Sequence, residues 1–211
     1  MLKRTLKSPV HWFIMKKKSL SPQTLWTITI LLGTLLYATV RYITFGEYGI
    51  QDIPLFILNK SVSWSSVILL FITIVQGPKE RHRYFQYVRL LLIIHAGISL
   101  TLIAPGVYPK LFDGSRFSLY GGLALLTGIF SFIAFFYRIL VPAQEPDTFP
   151  SKFYLTVAAL VFLLFHTACI GLQGWFTPEK WNGSMPPITL LGFLTGLVTL
   201  ILSAKKKNTQ Q

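Results

Sequence analysis

The stretch Phe153-Tyr-Leu-Thr-Val-Ala-Ala-Leu-Val-Phe-Leu-Leu-Phe-His166-Thr-Ala-Cys169-Ile-Gly-Leu172 holds no Lys, Arg, Asp or Glu, and it carries a histidine among aliphatic and aromatic neighbours. About 20 such residues rise about 30 Å as an α-helix, which is the thickness of a bilayer's hydrocarbon core. A helix that is apolar on every face belongs in a membrane or deep in a large core. Working outward from 153–172, five more segments read the same way: 25–45, 62–75, 88–103, 117–140 and 187–202. The segments 62–75 and 88–103 are short and need flanking residues to span. Gly77-Pro78, Pro105-Gly106, Pro142, Pro146, Pro150 and Pro186-Pro187 separate the runs, because proline lacks the amide donor and clashes with the preceding turn. The expected fold is all-α, an integral membrane bundle of six helices with antiparallel sequence neighbours.

The 211 residues are 52% hydrophobic and 13% charged, with a mean hydropathy of +0.55. A soluble domain of this size would leave too much apolar surface in water. The net charge of +13 would suit nucleic acid, but the basic residues stand at the ends and short connections of apolar runs. The lipid bilayer is therefore the expected partner and nucleic acid is not. Only Arg41, Lys60, Lys110, Arg116 and Lys180, five of the 20 Lys and Arg residues, fall on one side. The positive-inside rule then puts both termini in the cytoplasm. Residues 1–24 read as a basic cytoplasmic leader, 25–204 as the six-helix transmembrane domain and 205–211 as a basic cytoplasmic tail. Within the leader, His11-Trp-Phe-Ile-Met15 suits the inner membrane surface or a loose basic arm. The first apolar run is long, begins well into the chain and lacks a small-residue cleavage site, so it reads as a retained helix rather than a signal peptide. The lone Cys169 excludes an internal disulfide, a paired-thiol redox site and a thiolate zinc site.

Ionisable side chains inside hydrocarbon are costly, which makes each a functional candidate. The apolar cores hold two histidines, His95 in 88–103 and His166 in 153–172. Both segments start on the same side, so equal distances along them mean similar depths. Measured from the aromatic markers Tyr108 and Trp175, the two differ by about 6 Å of helix rise, within reach of helix tilt. Two neutral imidazoles at nearly one depth on separate helices are what a six-coordinate b-type haem requires, one nitrogen from each face. Small neighbours, Ala96, Gly97, Thr167 and Ala168, would leave room for a ring. The other reading is that each histidine separately hydrogen-bonds a neighbouring helix. Two histidines alone leave a tetrahedral zinc shell half empty. No Ser-His-Asp, paired-carboxylate or phosphate-loop arrangement supports hydrolytic or phosphoryl chemistry.

Asn59-Lys60, Trp64, Leu69-Leu70, Thr73 and Gly77-Pro78, followed by a basic turn, Arg89 and a Leu-rich run to His95, resemble helices two and three of the ferric-reductase-like transmembrane superfamily. That superfamily includes ferric reductases, the membrane core of NADPH oxidases and the haem-binding membrane subunit of the bacterial methionine sulfoxide reductase system. The resemblance covers helices two to six. It implies that His95 and His166 hold the haem nearer the outer face and that electrons cross the membrane from a cytoplasmic donor. The family's inner haem takes histidines 13 or 14 residues earlier on both helices. Here those positions offer His82 and Phe153, so one haem b is implied, with two as the lesser reading. His82, amid Lys79-Glu80-Arg81 and Arg83, reads as a solvated loop residue. The family's flavin and nicotinamide domain is not expected here, so a separate reductase or a quinol would supply the electrons. The implied location is a bacterial inner (plasma) membrane.

Arg41 could meet a haem propionate or snorkel to the interface, and Arg89 could meet a quinone or propionate or mark the membrane boundary. Gly192 and Gly196 form a GxxxG, and Gly121 and Gly128 share a face, both suited to close helix packing. Trp175 and Trp181 could relay electrons or belong to an interfacial belt. Two functions follow. One is a b-type cytochrome carrying electrons to an outer-side acceptor, which as an enzyme would be a haem-dependent transmembrane oxidoreductase. The other is a non-catalytic membrane protein, a transporter component or assembly factor, whose intramembrane histidines are structural.

Overall fold

A computed structural model describes residues 20–76, 78–140 and 150–208, without the side chains of 78–80, 138–140, 150–152 and 207–208. The segment 11–15, Pro142 and Pro146 lie outside the described residues, as do most of the leader and residues 209–211 of the tail. The chain forms six long helices: α1 (Pro22–Thr39), α2 (Leu58–Val75), α3 (Pro78–Leu102), α4 (Leu119–Leu140), α5 (Pro150–Trp175) and α6 (Ile188–Asn208). All six are long and apolar enough to cross a membrane, and this is a multi-pass membrane protein. Below, the N-terminal end of the bundle is the one where α1, α3 and α5 begin, and the opposite end is the far end.

Local chemistry explains where helices start. Ser21 caps α1 by accepting the Thr24 amide on its hydroxyl, with Pro22 in the first turn, where a missing N–H costs nothing. The short segments do borrow flanking residues: α2 begins before residue 62 and α3 well before residue 88. That extension corrects the reading of His82 as a loop residue. It lies on α3, exposed, with its ring near the Gln86 amide. α3 begins at Pro78, and proline suits a first helical turn.

Two π turns, Val40–Thr44 after α1 and Ile53–Ile57 before α2, lie at the far end. Such wide turns change the direction in which later side chains project and often mark functional sites. The only sheet among the described residues is a two-residue ribbon, Phe112–Asp113 against Arg116–Phe117, closed by Gly114 at φ 61 and by stacking of Phe112 on Phe117.

α2 is the central helix, with 56% of its span buried against 17–28% for the others. It packs on α1, α3 and α6, while α5 packs on α4 and α6. Helix contacts inside lipid rely on small residues and buried hydroxyls rather than on a hydrophobic difference. Thr34 of α1 hydrogen-bonds Ser61 and Ser65 of α2 at 2.8 and 2.6 Å. Ser131 of α4 donates to the Ala159 carbonyl of α5 at 2.8 Å. On α6, a Cβ at Gly196 would sit 3.3 Å from Leu164 of α5, so the GxxxG face is a packing face. The outward surface is apolar, with Leu32, Leu36 and Leu100 at 59%, 66% and 69% exposure, as lipid contact requires.

Candidate functional site

The main core joins Leu69 and Leu70 of α2, Val88 and Leu91 of α3, Phe135 of α4 and Leu160 of α5. There Phe85 of α3 stacks on Phe135 at 4.9 Å. This tight region occupies the N-terminal half, with His95 and His166 a further turn or more along α3 and α5. The backbones of α3 and α5 make no extensive close approach along their described residues. Next to His95, a Cβ at Gly97 would meet nothing within 4 Å. Thr167 is turned elsewhere: it is buried, its methyl lies 4.0 Å from a Cβ placed at Gly192 of α6, and its hydroxyl donates to Leu163 and Leu164 carbonyls.

Both imidazoles are tied through the same ring atom. His95 Nδ1 lies 2.7 Å from Asn59 Oδ1 of α2. Asn59 is buried at 3% exposure and donates through Nδ2 to Ser99 Oγ at 3.0 Å and to the Tyr108 hydroxyl at 3.5 Å. Its amide oxygen is therefore the end left to accept from His95. His166 Nδ1 lies 2.7 Å from the Ala124 carbonyl of α4. A carbonyl only accepts, so Nδ1 carries the proton. In a neutral imidazole the other nitrogen, Nε2, then presents a lone pair. Among the described residues neither Nε2 has a hydrogen-bond partner.

α4 makes room for His166. A Cβ at Gly128 would fall 2.8 Å from its Nδ1 and 3.0 Å from its Cε1, so glycine alone seats the ring there. At Gly121, one face-repeat earlier, a Cβ would run into the Leu111 carbonyl of the far-end connection. Both glycines thus serve close packing, one of them at the site.

If a haem binds in this bundle, His95 Nε2 and His166 Nε2 are the atoms that would hold its iron. Metal-ligating histidines characteristically donate their second ring N–H to a carbonyl or carboxylate, which fixes ring orientation and tautomer. His95 and His166 each have Nδ1 on a carbonyl oxygen and Nε2 without a hydrogen-bond partner among the described residues, which meets that requirement. Among the described residues no three His, Cys, Asp or Glu side chains gather.

Arg41 sits in the first π turn and is buried at 6% exposure rather than snorkelling outward. One guanidinium nitrogen reaches the Asn182 carbonyl at 3.5 Å, while Nε has no partner. Arg89 is exposed on α3, about 9 Å along the axis from His95. Trp175 is buried and donates to Thr189 of α6 at 3.0 Å, and Trp181 donates to the Gly174 carbonyl at 2.8 Å. Both indoles tie the α5–α6 connection together. Asn59, Ser99 and the Ala124 carbonyl were not legible as site groups beforehand. Asn59 carried a signal, an amide in an apolar run, whereas a main-chain carbonyl carries none. Comparison with family models and with curated proteins gives no match.

Proposed function

We propose that the protein is a membrane b-type cytochrome of the ferric-reductase-like kind, carrying electrons across the bilayer to an acceptor at the far end. His95 and His166 are its haem ligands. The observation that carries this reading is the pairing of two Nδ1 atoms on carbonyl oxygens with two unengaged Nε2 atoms. A bound haem would supply one-electron ferric–ferrous chemistry. Asn59 and the Ala124 carbonyl hold the imidazoles in the ligating tautomer, and the surrounding apolar helices keep water from the donors.

One haem is favoured over two. In the N-terminal half, Phe85, Phe135 and Leu160 fill the space between α3, α4 and α5, and His82 points to the exposed face of α3. The bias of basic residues toward the N-terminal end orients that end to the cytoplasm, in a bacterial inner membrane, where a separate reductase or a quinol would donate electrons. The same two hydrogen bonds favour one competing reading, a non-catalytic membrane protein whose histidines only tie α3 to α2 and α5 to α4.

The absorption spectrum decides between them. Protein purified from haem-replete cells should give a reduced-minus-oxidised b-type spectrum, lost in both His95→Ala and His166→Ala. A folded, colourless wild-type preparation that takes up no added haem would leave the structural reading standing.

A further inference from the structure

The far end of the bundle forms a half-open cavity of about 480 Å³, a volume ordinary for a small-molecule site. Neither His95 nor His166 lines it. Four cations reach it from four different elements: Arg41 from the π turn after α1, Lys60 from α2, Lys110 from the turn Pro109–Leu111 and Lys180 from the turn Pro178–Lys180. None of the lining residues is acidic. Of the five basic residues on this side of the membrane pattern, only Arg116 stays out, exposed on the ribbon.

The cations differ in burial. Lys110 and Lys180 are exposed at the rim, while Lys60 is half-buried and Arg41 is enclosed. The Lys60 ammonium lies 5.2 Å from the centre of the Phe56 ring and 4.9 Å from that of Tyr108. Arg41 has five N–H donors, yet its Nε is buried without an acceptor and its bond to the Asn182 carbonyl is at the 3.5 Å limit. A buried guanidinium without a counter-charge is strongly unfavourable unless something anionic completes it. Burial also raises the Tyr48 phenol above its ordinary value, despite the lowering effect of Lys60. Tyr48 thus contributes no negative charge near neutral pH.

The cavity's roof is built to a close fit. Gly183 has φ 59, and a Cβ there would enter the Phe45 ring, while a Cβ at Gly46 would strike the Tyr42 carbonyl and approach Asn182. These two glycines let the loop bearing Asn182 settle directly on the π turn that bears Arg41. On the other side Tyr48 stacks on Phe56 at 4.3 Å.

We propose that this cavity binds a small organic oxyanion, a carboxylate or phosphate compound whose charge meets Arg41 and Lys60 and whose apolar body lies against Tyr48 and Phe56. Guanidinium groups pair with carboxylate and phosphate oxygens in two-pronged fashion, and ammonium groups add undirected attraction. The lysines at the rim steer anions inward. The site is lined by neither histidine, so its test does not require a bound haem. The same chemistry can come from a soluble metabolite-sized anion or from an anionic lipid headgroup entering from the bilayer interface.

The full chain in zwitterionic-lipid nanodiscs, titrated calorimetrically with citrate and with pyrophosphate, tests the soluble source. Addition of short-chain phosphatidylglycerol tests the lipid source. Saturable, salt-weakened binding is expected from one source, reduced about tenfold or more by Arg41→Gln and by Lys60→Gln and changed less than about twofold by Arg116→Gln. Should Arg41→Gln fail to fold, Lys60→Gln and Lys110→Gln carry the decision. Binding should persist in His95→Ala protein, which separates this site from the haem reading. Absence of saturable binding with all three probes, or equal affinity in the charge variants, overturns the proposal.

Discussion

His95 and His166 make the same bond through the same ring atom, but they are held by opposite means. His95 leans on a side chain, Asn59, which is itself fixed by Ser99 and Tyr108. His166 leans on the main chain, at the Ala124 carbonyl, and its ring rests where Gly128 has no Cβ. A side-chain anchor can be removed by one substitution while the helix stays in place. A carbonyl anchor cannot be removed at all, so the vulnerable point for His166 is the space under the ring. The two halves of one site should therefore fail in different ways, His95 by losing a bond and His166 by losing its seat.

The largest expected effect is on the His166 side. In Gly128→Leu the new side chain must begin 2.8 Å from Nδ1, and the neighbour that has to yield is a ring already pinned to Ala124. Overpacking of that kind costs about 1–3 kcal/mol. We expect a lower melting temperature in detergent and loss of the b-type spectrum. Gly122→Ala provides the contrast on the same helix, because a Cβ there meets nothing within 4 Å. It should leave both readouts unchanged or raise stability slightly through helix propensity. If Gly128→Leu keeps its haem spectrum, the seat is not what positions His166.

Asn59→Leu comes next. It strands the His95 N–H in an apolar environment, a loss of about 1–3 kcal/mol, partly relieved because Ser99 Oγ lies 3.3 Å from Nδ1. Haem should remain, held less firmly, with its optical midpoint potential shifted. Asn59→Asp replaces a neutral acceptor by an anionic one and, under the proposed function, would make the imidazole a stronger donor to the haem iron. Its midpoint should therefore move lower than that of the wild type in a redox titration. Equal midpoints for wild type, Asn59→Leu and Asn59→Asp would show that Asn59 does not tune the ligand.

Much of this was readable from residue order because lipid imposes simple demands. Uncharged runs of membrane-spanning length had to be helices, and a histidine in such a run had to face protein. The extents of α2 and α3 were less legible, since Asn59, Lys60, Ser61 and Arg81 depress the local hydropathy, although Asn59 and Ser61 are satisfied across helices by Ser99 and Thr34. The π turns were invisible: nothing in Val40-Arg41-Tyr42-Ile43-Thr44 announces a widened turn, yet it sets where Arg41 projects. Arg41, readable as a propionate partner or as an interfacial residue, is buried at 6% exposure. The far-end cavity escaped notice because its four cations are spread from residue 41 to residue 180 and meet only in three dimensions. Gly128 lay between these extremes. Its face was readable, but not its neighbour.

The smallest effect should come from Ser99→Ala. Ser99 accepts from Asn59 Nδ2 at 3.0 Å, and its hydroxyl lies 3.3 Å from both Asn59 Oδ1 and His95 Nδ1. All three contacts are secondary to the 2.7 Å bond between His95 and Asn59. Without the hydroxyl, Asn59 Nδ2 still reaches Tyr108, so the amide keeps its orientation and its oxygen still faces the imidazole. The cost should be about 0.5–1.5 kcal/mol, that of one net hydrogen bond, with the spectrum retained and the midpoint close to that of the wild type. The double variant Asn59→Leu/Ser99→Ala then becomes informative, because it removes both acceptors near Nδ1. Its loss should exceed the sum of the single losses, as expected for side chains that substitute for one another. A Ser99→Ala loss as large as that of Asn59→Leu would mean that the hydroxyl, not the amide, holds His95. The contrast between a side-chain anchor and a main-chain anchor would then rest on the wrong residue.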